Sequence, residues 1–115
     1  MSEPADAVPN QLAKLKQKYA AGLPEKVGKV GEQVDAFLAA PWQEERCFTT
    51  YRLIHSLAGS AGTYGYAELG TVARTGELLV KGSLEGRAPL GDAQRKELAG
   101  IVATLKQLAA AAAAP

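Results

Sequence analysis

Apolar side chains return every three or four positions along nearly all of this 115-residue chain, and no stretch alternates as a strand does. A chain with that spacing must bury helix stripes against one another. Val8, Leu12, Leu15 and Tyr19 form a first stripe, which ends at Gly22-Leu23-Pro24. Pro24 can open a second helix, because a first-turn position needs no amide hydrogen. Val27, Val30, Val34, Phe37 and Leu38 carry that helix to the break at Ala40-Pro41-Trp42.

A third helix is predicted from about 43 to 61, with Cys47, Thr50, Tyr51, Ile54, Leu57, Ala58 and Ala61 facing inward. Gly62 and Gly65 bracket the next turn, and Tyr66, Leu69, Val72, Ala73, Gly76, Leu79 and Val80 mark the helix after it. The stretch from Gly82 to Gly91, with Pro89, reads as a loop, and Asp92 as the N-cap of a last helix seamed by Leu98, Ile101, Leu105 and Leu108. Short connections favour antiparallel neighbours. The expected fold is all-α: an antiparallel four-helix bundle, up-down-up-down, with an additional short N-terminal helix. Residues 1–115 are expected to form one domain, with a flexible N-terminus over about 1–7 and a fraying alanine-rich C-terminus over about 110–115.

Composition removes several function classes. Apolar residues make up 47% of the chain, enough for a core. A net charge of +1 does not provide the concentrated positive charge that nucleic-acid and polybasic membrane binding require. Lys14, Lys16, Lys18, Lys26 and Lys29 read as a solvated helix face. Cys47 is the only cysteine, so neither an intrachain disulfide nor a cysteine zinc site can form, and it is expected to be buried. Met1 to Asp6 lack the basic and apolar regions of a signal peptide, and no apolar run approaches the ~20 residues of a membrane span. A cytoplasmic, monomeric protein is expected.

His55 is the only histidine, and small residues follow it: His55-Ser56-Leu57-Ala58-Gly59-Ser60-Ala61-Gly62-Thr63-Tyr64-Gly65-Tyr66. With Ile54 at the centre of the buried seam, His55 lies about 100° away, between core and solvent. Phe48, Arg52, Gly59 and Gly62 fall in the adjoining sector. Glycine at 59 costs the helix about 1 kcal/mol relative to alanine, and either close packing on a neighbouring helix or access for a partner can explain it. Imidazole is a nucleophile near neutral pH. A metal site lacks further ligands, a serine–histidine hydrolase lacks a nucleophile elbow, and no glycine-rich phosphate loop is present for intrinsic kinase activity.

This run resembles the signature of histidine-containing phosphotransfer (HPt) domains, His-x-Leu-Lys-Gly-Ser-(Ala or Ser)-x-x-x-Gly. The clear likeness covers about residues 51–80, where Ala67 to Leu78 is similar to the family's next helix. The resemblance implies that His55 accepts a phosphoryl group from a receiver domain's aspartyl phosphate and passes it to another receiver. It makes the chain a carrier rather than an independent enzyme. Partners would be receiver domains of a hybrid histidine kinase or response regulators. No cofactor is expected in this chain; magnesium would belong to the partner receiver. Phe48, Arg52, Ser56, Ala58, Gly59 and Gly62 would form the docking surface, with Gly59 giving clearance. The family's lysine three residues after the histidine is Ala58 here, and Arg52 is the expected substitute for its charge. A receiver-binding adaptor that accepts no phosphate, or a helical structural or oligomerisation module, are the alternatives.

Overall fold

The computed structural model describes residues 4–115, with side chains described from Asn10 onward. Four helices account for almost all of it: α1 (Pro4–Ala39), α2 (Glu44–Thr63), α3 (Ala67–Gly86) and α4 (Asp92–Ala113). No strand occurs among the described residues, and none of their helices is long and apolar enough to cross a membrane. The fold is all-α, a helical bundle. Each helix packs on two others: α2 on α1 and α3, and α4 on α1 and α3, so that one core is enclosed between them.

Interhelical pairs fix the register. Tyr19 meets Ser60 and Gln33 meets Thr50 across α1 and α2, while Glu44 meets Arg87 and His55 meets Glu77 across α2 and α3. Leu23, Val27, Val30 and Val34 of α1 face Cys47, Ile54, Ala73, Val80, Leu98 and Leu105 in a core from which solvent is nearly absent. Cys47 is buried, as its neighbours in the sequence imply, and its thiol points at the Val80 carbonyl, 3.7 Å away.

The additional short N-terminal helix is not found: α1 runs unbroken through Gly22-Leu23-Pro24. Pro24 cannot donate to the Ala20 carbonyl, which weakens a helix locally. Packing outweighs that loss, because Tyr19, Ala20, Leu23 and Val27 on either side of the proline are all buried. Leu12 and Leu15, expected on the same inward stripe as Tyr19, are instead 61% and 50% exposed. Residues 10–18 lie along a part of α1 with little covering it; Val8's side chain is outside the described residues. Of the N-terminal segment expected to be flexible, residues 1–3 are outside the described residues and the rest are helical backbone.

Local chemistry sets the break between α1 and α2 and the end of α2, but not the end of α3. Pro41 disfavours helix at Ala40 before it, and Glu44 and Glu45 open α2 where negative charge suits the helix dipole. Gly65 takes the left-handed conformation (φ 87°) that closes α2, with Tyr66 N–H donating to the Ala61 carbonyl. The predicted loop from Gly82 is shorter than expected, since α3 continues to Gly86 and is capped by Arg87 at φ 51°. Ser83 and Trp42 explain the extra turn: the indole N–H donates to Ser83 Oγ at 3.0 Å, and Ser83 Oγ–H donates to the Ala88 carbonyl. Gly91 rather than Asp92 occupies the N-cap of α4, and Asp92 stands in its first turn. The alanine-rich end remains helical to Ala113.

Candidate functional site

His55 lies on α2 beside the buried Ile54, and its side chain is 63% exposed. Its Nδ1 is 2.7 Å from Glu77 Oε2, a hydrogen bond across to α3. The carboxylate accepts, so Nδ1 carries the hydrogen, and in the neutral ring the outer nitrogen, Nε2, keeps its lone pair. Tyr51, one turn earlier, stacks on the imidazole with ring centroids 5.8 Å apart. Two neighbours on different helices thus hold one ring face and one ring nitrogen. No hydrogen bond to the remaining nitrogen, Nε2, is found among the described residues, and the side chain that carries it is exposed.

Glu77 is unusual for a glutamate: its side chain is only 8% exposed. Oε2 is spent on His55, and Oε1 is buried without a hydrogen-bond partner among the described residues. Burying a carboxylate is costly unless it is paired. Its place follows from helix phasing, since Glu77 stands four residues after buried Ala73 and three before buried Val80. A carboxylate on the inner stripe of α3 is a signal legible in the sequence. Its partner, 22 residues away, is not.

A groove of about 330 Å³ opens next to the imidazole, between α2 and α3. From α2 it is walled by His55, Ala58, Gly59 and Gly62; from α3 by Gly70, Thr71, Arg74 and Glu77. The glycines divide into two kinds. A methyl group at Gly59 or Gly62 would meet nothing within 4 Å, whereas one at Gly70 would lie 3.2 Å from the Ala58 carbonyl oxygen and 3.4 Å from the Gly62 nitrogen. Close helix packing is therefore the work of Gly70. Gly59 and Gly62 face open space beside the histidine.

The other residues singled out in the sequence are distributed around this point. Ala58 is in the groove wall. Phe48 is 46% exposed and stacks on Tyr51, so it continues the aromatic line that ends at His55. Arg52 lies over the Phe48 ring, 5.9 Å from its centroid, and with Ser56 lines a separate concavity on another flank of α2. Arg52 and Ser56 are not part of the His55 groove wall. Arg74, Thr71 and Glu77, which sequence reading did not select, are.

The turn between α2 and α3 is held by aromatic packing. Tyr19 of α1 stacks on Tyr64 at 4.3 Å, and its hydroxyl hydrogen-bonds Ser60 at 2.7 Å. Burial raises the Tyr19 phenol above its ordinary value near 10, with the Ser60 hydrogen bond opposing that shift. A larger concavity of about 570 Å³ lies between α1 and the end of α4, but its walls are mostly alanine and carry no nucleophile beyond Lys16 and Tyr66. Among the described residues, no group of three or more His, Cys, Asp or Glu is placed to hold a metal ion. Compared with protein-family models, curated proteins and solved structures, the chain matches none.

Proposed function

We propose that the protein is a histidine phosphotransfer carrier of a phosphorelay, built as an antiparallel up-down-up-down bundle. One observation carries this reading: a solvent-facing imidazole whose Nδ1 is tied to a buried carboxylate, beside a groove floored by glycines that pack on nothing. A surface histidine with no chemical task needs neither feature. Each costs stability, through a buried carboxylate in one case and helix propensity in the other.

The transfer balances simply. The Nε2 lone pair bonds to the phosphorus of a receiver's aspartyl phosphate, and the bond from phosphorus to the aspartyl oxygen breaks. Its electron pair leaves with the carboxylate. The Nδ1 hydrogen stays in place, and the positive charge that develops on the ring faces Glu77. The return step to a second receiver is the reverse. Because phosphoryl transfer depends on alignment and charge stabilisation, the carrier needs only an oriented, accessible nitrogen. The receiver brings its magnesium and the remaining catalytic groups. A cytoplasmic, monomeric carrier with receiver domains as partners completes the proposal.

Incubation with a phosphorylated receiver tests it, following acid-labile label on wild type and His55→Gln. Label on the wild type alone is expected. Binding without label supports the adaptor reading, and neither binding nor label across a receiver panel returns the protein to a structural role.

A further inference from the structure

Resting on that reading, we infer that Arg74 of α3 is the residue that contacts the phosphoryl group on His55, in the role for which the sequence offered Arg52. The need for a cation follows from the site. A phosphoryl group on Nε2 places negative charge on the far side of a ring whose other nitrogen is held by a buried carboxylate. The phosphoryl oxygens add to the negative charge that Glu77 already brings, and the positive charge on the ring between them offsets only part of the sum. Position 58, where a lysine from α2 would offset this, is alanine.

Among the residues walling the groove, Arg74 is the only lysine or arginine. It stands one helical turn before Glu77, so the two side chains emerge on neighbouring parts of the same α3 surface. Arg74 is exposed and takes part in no ion pair among the described residues, so its guanidinium is uncommitted. Arg52, by contrast, lies over Phe48 and lines a different concavity. A guanidinium suits this task, since its forked donors match phosphoryl oxygens in pairs.

The contact has a definite kinetic consequence. Loss of phosphoryl from the ring passes through a loose, metaphosphate-like transition state, in which charge on the peripheral oxygens is lower than in the phosphohistidine. A cation at those oxygens stabilises the phosphohistidine more than the transition state. It therefore lengthens the lifetime.

The test phosphorylates the full chain with phosphoramidate, in which the outer imidazole nitrogen bonds to phosphorus, the P–N bond breaks and ammonia leaves. After the reagent is removed, loss of phosphohistidine is followed by phosphorus NMR for wild type, Arg74→Gln, Arg74→Lys and Arg52→Gln. Arg74→Gln is expected to shorten the half-life roughly two- to fivefold, the range for a solvent-accessible charged contact. Arg74→Lys should recover most of it, and Arg52→Gln should match wild type. Equal half-lives for wild type and Arg74→Gln, no recovery by lysine, or an equal effect at Arg52 each overturns the assignment. Phosphoramidate needs no receiver, so failure here is distinct from failure to accept phosphate from a receiver.

Discussion

Adding a single methyl group at Gly59 should make the protein more stable, while the same change at Gly70 should make it less so. At Gly59 the new Cβ meets no atom within 4 Å, so the substitution carries no packing cost. Its effect is then that of helix propensity, about 0.5–1 kcal/mol in favour of alanine near the end of a helix. For a domain of this size that is a rise in Tm of about 2–6 °C. At Gly70 the Cβ would press on the backbone of α2, 3.2 Å from the Ala58 oxygen and 3.4 Å from the Gly62 nitrogen. Backbone cannot rotate away as a side chain can. Overpacking of this kind costs about 1–3 kcal/mol, part of which the propensity gain returns, leaving a net loss of about 0.5–2 kcal/mol.

Thermal melts of the two variants, monitored by circular dichroism, read the difference directly. A Gly59→Ala protein that loses stability as Gly70→Ala does would refute the assignment of Gly59 to open space. The functional half follows on the same position. Gly59→Trp should fold, yet stop phosphoryl transfer from a receiver, because the indole fills the groove beside His55. Normal transfer by the folded variant contradicts the clearance argument.

Other substitutions probe the rest of the account. Glu77→Gln should keep the fold but slow transfer about tenfold, since a charge-assisted hydrogen bond to Nδ1 becomes a neutral one; a wild-type rate in single-turnover transfer would remove Glu77 from the site. Leu23→Ala, at a fully buried position beside Pro24, should cost about 2–5 kcal/mol in urea unfolding, and a loss under 1 kcal/mol would mean that packing does not hold α1 through the proline. Tyr19→Phe should lose about 1 kcal/mol at neutral pH with its hydrogen bond to Ser60. The raised phenol of Tyr19 makes its contribution complete below the unfolded value near pH 10 and lost as pH rises through the folded value, so the variant's stability should fall less steeply above about pH 10. Parallel alkaline profiles for the two proteins would contradict that linkage.

The parts of this fold that sequence reveals are those governed by local spacing. The inward face of α2 was legible because Cys47, Thr50, Ile54, Leu57 and Ala61 follow the helical period with no competing signal. Pro24 misleads for the opposite reason: its local effect is to end a helix, whereas the burial of Leu23 and Val27 that sustains α1 comes from other helices. Gly82 misleads likewise, because the Trp42–Ser83 contact that helps to prolong α3 joins residues 41 positions apart.

At the site, the same division separates His55 from its surroundings. The histidine, the small-residue run and its phase against Ile54 all lie within one helix and can be read together. Glu77 and Arg74 enter only through the pairing of α3 with α2, which no spacing within α2 encodes. Arg52 satisfies the local rule of three-residue neighbours, but Phe48 lies beneath its guanidinium.

The central claim is that His55 carries a phosphoryl group between receivers. The most direct measurement is a relay with labelled phosphate on one receiver and a second, unlabelled receiver present. With the wild-type chain, label should appear transiently on His55 and then accumulate on the second receiver; with His55→Gln it should remain on the first. Label reaching the second receiver equally well with His55→Gln, or never leaving the first cognate receiver with wild type, would contradict the account.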